Sequence, residues 1–226
     1  MQINTSNNQF TAFVIRGCFL LFLLLSYNLY AANSLNNKLH GFNGDELTAV
    51  PGSKKRIAEW KAIINRQNPQ NTQKLLEQVN TFFNRLAYIP EEPQDSVDVW
   101  LTPYEFLAAG GGDCEEFAIA KYFTLVAMGV PEQKLRITYV TIMTHNQAHM
   151  VLAYYETPDA EPLILDSLVK EILPASKRSD LLPVYSFNAE DVWLYENRKM
   201  AIPYGKASSL SKWQALIKRF QLQGGI

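Results

Sequence analysis

The chain has 226 residues, of which 47% are hydrophobic and 19% are charged. This balance supports a packed core and excludes wholesale disorder. The formal net charge of −1 gives no electrostatic case for a nucleic-acid partner. Two cysteines are too few for a disulfide-stapled scaffold, or for a zinc site built from several thiolates.

The first 32 residues have the layout of a secretory signal peptide. A polar stretch without acids leads to Arg16, an apolar run occupies 17–25, and small residues end the segment at 31–32. An uncleaved membrane anchor is the alternative, but the run is short for a membrane span. Export would leave Cys114 as the single thiol of the mature chain, because Cys18 lies in the removed segment. Such a thiol is either buried and inert or reactive.

The rest of the chain predicts an α+β fold in one domain over 53–226, after a flexible polar segment at 33–52. Apolar spacing and capping signals predict helices over 53–67, 71–86, 102–109, 113–128 and 209–223. Runs rich in β-branched and aromatic residues predict antiparallel strands over 135–143, 149–156 and 163–166, and weaker ones over 184–187 and 192–195. The helix after Asp113 is apolar on nearly every side, which is typical of a helix at the centre of a fold.

Three residues carry the candidate chemistry. Cys114 begins the central helix directly after three glycines, where unpaired N–H groups and the helix dipole favour a thiolate. His149 opens one strand and Asp166 ends the next, so antiparallel pairing would place both at the same sheet edge. His149 would then take the thiol proton while Asp166 orients the ring. Each residue has an alternative role: Cys114 could only pack in the core, His149 could make a structural hydrogen bond, and Asp166 could begin a turn. His145 is a rival base.

Three carboxylates at Asp113, Glu115 and Glu116 surround the thiol. They should raise its pKa and so oppose thiolate formation. Helix capping accounts for one or two of these acids, because acids in the first turn stabilise a helix. A bound hard cation would remove the conflict by neutralising all three, and oxygen ligands select Ca²⁺ over zinc. The sequence leaves both explanations open.

The stretch GGDCEEFAIAKYFTL at 111–125 resembles the bacterial transglutaminase-like cysteine proteases of the LapG family, and within it the Legionella-type members. WLTP at 100–103, AHMVL at 148–152 and LD at 165–166 follow in the family's order, so the resemblance covers roughly 53–200. It implies a papain/transglutaminase-like fold with Cys114 as nucleophile, His149 as base and Asp166 as orienting acid. It also implies Ca²⁺ binding at Asp113, Glu115 and Glu116.

The same resemblance implies a periplasmic, calcium-dependent protease that cuts the N-terminal region of a large surface adhesin near a pair of alanines. Such cleavage frees cells from a biofilm. A LapD-type inner-membrane receptor that senses cyclic di-GMP would restrain it by sequestration. We expect the Cys114 N–H and one further donor to hold the oxyanion. Trp100 is a candidate for that donor or for a cleft wall, and a core position is its alternative.

Three other functions remain open from the sequence. The same residues could transfer an acyl group to an amine, as a true transglutaminase does. The acidic turn could bind calcium in a non-catalytic module with an inert Cys114. The basic face of the helix at 209–223 could contact a membrane surface, although three cations are too few for stable anchoring.

Overall fold

The computed structural model describes residues 44–66, 71–90, 99–198 and 201–225. The signal peptide predicted at 1–32 lies outside these ranges and stays a prediction. None of the helices within them combines the length and the apolar character that a bilayer-spanning segment needs.

The described residues form six α-helices and nine strands. The helices are α1 (Gly44–Thr48), α2 (Ser53–Asn65), α3 (Thr72–Phe83), α4 (Pro103–Ala109), α5 (Cys114–Ala127) and α6 (Ser211–Leu222). The strands are β1 (Ala87–Tyr88), β2 (Gly111–Gly112), β3 (Leu135–Ile142), β4 (Gln147–Tyr154), β5 (Leu163–Leu165), β6 (Leu173–Pro174), β7 (Leu181–Phe187), β8 (Asp191–Tyr195) and β9 (Ala201–Lys206). Short 3₁₀ turns lie at Glu132–Lys134, Ala175–Lys177 and Ala207–Ser209.

Seven strands form one antiparallel sheet in the order β6-β5-β4-β3-β7-β8-β9. The remaining two, β1 and β2, make a small parallel pair directly before the central helix. Helices precede an antiparallel sheet along the chain, which confirms the α+β prediction. Every helix and strand predicted from the sequence is present, with ends shifted by a few residues.

The structure adds elements that the sequence patterns did not predict. Helix α1 lies in the segment expected to be flexible, and its Leu47 is fully buried. The short strand β6 closes one edge of the sheet, and β9 closes the other. Strand β9 contains Pro203 and Gly205, residues that weaken a strand signal, and most of its side chains are exposed as expected at an edge.

Helix α5 is the centre of the molecule. It packs on β4 and β3, and all but a few of its side chains are buried. Helix α6 covers the same sheet face further along, where Trp213 is fully buried and stacks on Phe123 of α5. A second apolar cluster, which includes Val151 and Ile164, lies on the opposite sheet face. Burial of α5 from all sides fixes its N-terminus, and therefore Cys114, against β4.

Candidate active site

The glycines before Cys114 are required by the path of the backbone. Gly110 ends α4 with φ of +82°, a left-handed conformation that side chains disfavour. Gly111 pairs with Ala87 in the β1–β2 ladder, and a Cβ at Gly111 would lie 2.3 Å from the Ala87 carbonyl oxygen. The turn between α4 and α5 is therefore tight enough to exclude any side chain at Gly111, and it leads directly into the helix that Cys114 begins.

Cys114 is half-buried at the N-terminus of α5, with the main chain of Met150 facing its sulfur. It is a free cysteine, and its thiol donates a hydrogen bond to Glu115 Oε2 at 3.2 Å. Burial raises the pKa of the Cys114 thiol, and the negative charges of Glu115 and Asp113 raise it further. The acids beside the thiol therefore oppose its ionisation, as the sequence predicted.

His149 and Asp166 form a buried pair at the end of the sheet where β4 begins and β5 ends. Antiparallel pairing of β4 with β5 places Leu152 opposite Leu165, which brings the start of β4 and the residue after β5 together. His149 Nε2 lies 2.7 Å from Asp166 Oδ1, and both side chains are at most 2% exposed. This is the pairing predicted from the strand pattern. Because Asp166 is ionised, Nε2 carries the hydrogen in the neutral ring and Nδ1 is the basic nitrogen.

Asp166 has further partners that the sequence analysis missed. Arg178 Nη1 donates to Asp166 Oδ2 at 2.7 Å, and the Leu168 N–H donates to Oδ1 at 2.9 Å. Arg178 in turn makes two hydrogen bonds with Asp180, at 3.0 and 2.8 Å. Burial opposes ionisation of Asp166, but the bonds from His149, Leu168 and Arg178 outweigh it and lower the pKa to about 2. The carboxylate is thus fixed at both oxygens.

The main chain of Asp166 is held from the helical side as well. Lys121 of α5 is fully buried and donates from Nζ to the Asp166 carbonyl oxygen at 3.0 Å. Asn84, just after α3, donates to the same oxygen at 2.8 Å. Burial lowers the pKa of Lys121 to about 7, although the Asp166 charge acts against this. Lys121 therefore connects the helix that carries Cys114 to the strand end that carries Asp166, and Asn84 connects the end of α3 to the same point.

Asp113, Cys114 and Glu115 form a cluster whose ligand atoms lie within 4.8 Å of one another. Burial and the neighbouring Asp113 carboxyl raise the pKa of Glu115 to about 9. The Asp113 and Glu115 carboxyls therefore retain a proton between them, which a cation could replace. Their hard oxygen donors suit calcium. The residues present fit such an ion.

Glu116 has a different environment from the other two acids. Its Oε1 accepts from the Leu101 N–H and its Oε2 accepts from the Asp113 N–H, both at 3.0 Å. Burial and the charge of Glu115 raise the pKa of Glu116 to about 7. Glu116 therefore caps α5 and ties it to the segment before α4. Of the three predicted ligands, the structure groups Asp113 with Glu115 and holds Glu116 in backbone hydrogen bonds.

Trp100 lies in the core, and His145 lies in an exposed turn. The Trp100 ring is buried and stacks on Phe187 with a centroid separation of 5.8 Å, and its carbonyl accepts from Arg219. Trp100 therefore has the core position that was the alternative to an oxyanion donor or a cleft wall. An oxyanion role for Trp100 stays a prediction. His145 is exposed in the turn between β3 and β4, where Nδ1 contacts the Thr144 hydroxyl at 2.7 Å.

Tyr88 is a site residue that the sequence analysis did not identify. Strand β1 pairs it with Gly112, two residues before the thiol, and its ring stacks on Phe117, one turn after it. Burial and the charges of Cys114 and Asp113 raise the pKa of its phenol. Its side chain is still 38% exposed, so Tyr88 forms a wall beside the nucleophile. A two-residue strand in a proline-rich region gives no periodic signal, which explains why the sequence did not reveal it.

Comparison with known proteins identifies relatives of this arrangement. Residues 54–196 match the family described as bacterial transglutaminase-like cysteine proteinase. The solved structure of Legionella pneumophila LapG is 47% identical, covers 83% of this chain and 95% of its own, and aligns with a TM-score of 0.67. An EGTA-treated form of that protein gives 48% identity, coverage of 83% and 96%, and the same TM-score.

A calcium-bound form of Legionella pneumophila LapG is 47% identical, with coverage of 79% and 99% and a TM-score of 0.67. A comparison with curated protein sequences gave no match. The structural likeness confirms the predicted transglutaminase-like fold. Because the family match spans most of the chain, including Cys114, His149 and Asp166, the chain belongs to the bacterial transglutaminase-like cysteine proteinase family.

Proposed function

We propose that this protein is an exported, calcium-dependent cysteine endopeptidase that cuts the N-terminal region of a large surface adhesin beside a pair of alanines. The observations that carry the proposal are the buried His149–Asp166 pair and the free cysteine at the N-terminus of α5, whose sulfur faces the main chain of Met150, the residue after His149. Membership of a cysteine proteinase family supports the reaction type. The resemblance to the LapG family supports the adhesin substrate and the periplasmic location.

In the reaction, Cys114 transfers its proton to His149 Nδ1, and Asp166 stabilises the resulting imidazolium through Nε2. This requires the thiol to turn away from Glu115, where it donates in the structure. The thiolate sulfur bonds to the scissile carbonyl carbon, and the Cys114 N–H and a second donor hold the oxyanion. The C–N bond then breaks as His149 protonates the leaving amine. A water activated by His149 hydrolyses the thioester and regenerates the thiol.

Calcium in this account would be held by Asp113 and Glu115, and it would supply a positive charge beside the thiol. The calcium-bound Legionella relative supports this proposal. We expect the ion to order the turn at 110–116 and so to set the position of Cys114. Asp113→Ala should then lose activity while the protein stays folded. Full activity of that variant in the presence of EGTA would contradict the proposed role of calcium.

Control by a LapD-type receptor is the regulatory part of the proposal. Such a receptor would bind the protease at the outer face of the inner membrane and withhold it from the adhesin. The expected result is that a purified periplasmic domain of the receptor, added in excess, stops adhesin cleavage. Undiminished cleavage with that domain in excess would argue against sequestration.

The first experiment is cleavage of an adhesin N-terminal fragment that contains a dialanine site. Residues 33–226 would be tested with calcium, with EGTA and as Cys114→Ala. Cleavage only by the wild type with calcium is the expected result. Cleavage that EGTA does not affect would support the peptidase function, but it would leave helix capping as the only role of the acidic residues.

The two alternatives have their own measurements. Incorporation of a labelled amine without chain cleavage would replace hydrolysis with acyl transfer. A Cys114 that reacts with iodoacetamide no faster than free cysteine, together with no cleavage, would favour a non-catalytic calcium-binding module.

A further inference from the structure

A row of side chains leads from the nucleophile across the sheet. Backbone register places Met150 opposite Tyr139, Tyr139 opposite Tyr185, Tyr185 opposite Leu194 and Leu194 opposite Ile202. Directly opposed residues of antiparallel strands project from the same face. We call these five residues the apolar row. Met150 belongs to the core beneath α5, so the row lies on the face that carries Cys114.

Burial decreases along the apolar row with distance from the nucleophile. Met150 is 5% exposed beside the sulfur, and Tyr139 and Tyr185 are half-buried. The two tyrosine rings stack almost parallel, with centroids 5.1 Å apart, and form a flat surface. Leu194 and Ile202 on the outer strands are 39% and 38% exposed. The outer part of the row is therefore an apolar strip that is open to solvent, and its inner end is the buried Met150, whose main chain faces the Cys114 sulfur.

The length of the strip indicates the kind of occupant. The row crosses five adjacent strands, which at the usual spacing corresponds to about 19 Å. An extended polypeptide advances about 3.3 Å per residue, so five or six residues span it. A molecule seated on the exposed part of the row has one end directed towards Cys114. The occupant that a peptidase nucleophile requires at that position is a substrate chain.

The proposed cleavage site strengthens the case for binding at a distance. Two alanines offer little surface, so contacts at the scissile bond alone provide little discrimination. Binding energy from parts of the substrate remote from the reacting bond can supply it. The apolar row is a surface on which such remote contacts can form, because it runs from Met150, whose main chain faces the nucleophile, to the exposed outer strands.

We propose that the apolar row is the binding floor for the substrate polypeptide and selects a segment of five or six residues with apolar side chains on one side of the scissile bond. This inference rests on the proposed peptidase function. It places substrate selection on the outer strands β8 and β9, away from the residues that perform the chemistry.

The test introduces a charge into the row without touching the nucleophile. Leu194→Asp and Ile202→Asp are compared with Leu222→Asp, a control at the end of α6 where the side chain is 76% exposed. The adhesin fragment is the probe for binding, and alkylation of Cys114 by iodoacetamide is the probe for the nucleophile. We expect both row variants to lose at least about tenfold in kcat/KM on the fragment. Their alkylation rates and the cleavage rate of the control should equal those of the wild type.

Several outcomes would overturn the inference. Normal cleavage by both row variants would show that the strip does not bind substrate. Normal cleavage with a changed oligomeric state by light scattering would make the strip an interface between copies. Equal losses of cleavage and alkylation would mean that the substitutions disturb Cys114 itself.

Two further comparisons keep the test decisive. Leu194→Gln repeats it if an aspartate on an outer strand prevents folding, and the same loss on the fragment is expected. A wild type that alkylates rapidly but cuts no fragment would remove the proposed function, and the inference with it. A wild type that cuts, alongside row variants that also cut, would remove the inference alone.

Discussion

The candidate site contains two groups of carboxylates, one beside Cys114 and one beside His149, and burial has opposite outcomes in them. Asp166 is fully buried, yet its pKa falls to about 2, because His149, Leu168 and Arg178 all donate to it. Glu115 is almost as buried, yet burial and Asp113 raise its pKa to about 9. The difference lies in the partners, since burial disfavours the charge in both places.

This contrast shows which half of the site is complete when the chain folds. The sheet edge that carries His149 has its own cation in Arg178, so the orienting acid is ionised and fixed. At the N-terminus of α5, two acids and a thiol have their ligand atoms within 4.8 Å of one another, and burial together with their interaction raises the pKa of Glu115 and of the thiol. The dependence on calcium that we propose therefore concerns the N-terminus of α5, and not the strand ends that carry His149 and Asp166.

Asp166→Asn should have the largest effect, because it removes the anion that lies between His149 and Arg178. We expect kcat/KM to fall by about a hundredfold or more, since the imidazolium loses its partner. Stability at neutral pH should fall by about 3 kcal/mol in urea unfolding, since Arg178 is left buried beside a neutral group.

The pH dependence of stability provides a second readout of Asp166. Its folded pKa lies below the ordinary value of 3.8, so its contribution is complete above that value and is lost as pH falls towards 2. Asp166→Asn should lack this loss. Asp180→Asn is the matched control, because Asp180 contacts the same arginine but is 38% exposed, and its effects should be small. Equal effects of the two variants would contradict the central place of Asp166.

Arg178→Met should lower kcat/KM about tenfold, because Asp166 Oδ2 loses the donor that fixes it. The uncompensated charge of Asp166 should also favour the imidazolium form of His149, and so move the acid limb of the pH–rate profile to higher pH. Arg178→Lys keeps the charge and should leave that limb in place, with part of the activity restored. If both variants lose activity equally and the limb stays in place, Arg178 is only a structural residue.

Glu115→Gln tests the acidic side of the comparison. The raised pKa of Glu115 means that, without calcium, its folding contribution is full below about 4.5 and is lost as pH rises through about 9. At pH 8 in EGTA the variant should therefore melt a few degrees above the wild type. Calcium should raise the melting temperature of the wild type but not of the variant. An unchanged calcium response in thermal unfolding would remove Glu115 from the site.

Glu116→Gln should have the smallest effect. The amide can accept only one of the two N–H bonds that the carboxylate accepts, so we expect a loss of about 1 kcal/mol in urea unfolding. The calcium-induced rise in melting temperature should remain. If it disappears as in Glu115→Gln, Glu116 is the third ligand that the sequence predicted.

Local rules predicted the parts of the site that neighbouring residues determine. The capping box of α4 at Thr102 and Glu105 is present as predicted, because it depends on a four-residue pattern. The start of α5 at Cys114 follows from the glycines and Asp113 before it. The His149–Asp166 pair was predictable because consecutive strands that pair antiparallel place the start of the first beside the end of the second. His149 lies near the start of β4, and Asp166 follows the end of β5.

Contacts between distant segments were not predictable in this way. Arg178 follows a 3₁₀ turn in an irregular connection, and no spacing in the sequence relates it to Asp166. In the sequence, Lys121 is only a charged residue within the otherwise apolar α5. Its hydrogen bond to the Asp166 carbonyl oxygen depends on how α5 packs on β4. The apolar row likewise depends on the register of five strands, which a single sequence does not specify.

The role of calcium at the nucleophile is tested most directly by the rate at which iodoacetamide alkylates Cys114 at one fixed pH near neutrality, with calcium and with EGTA. We expect fast alkylation with calcium and a rate at least about tenfold lower in EGTA, because the negative charge that the Asp113–Glu115 pair shares then opposes the thiolate. Glu115→Gln should narrow that difference. Equal rates with calcium and with EGTA in the wild type would contradict the claim that the acids beside the nucleophile control its reactivity.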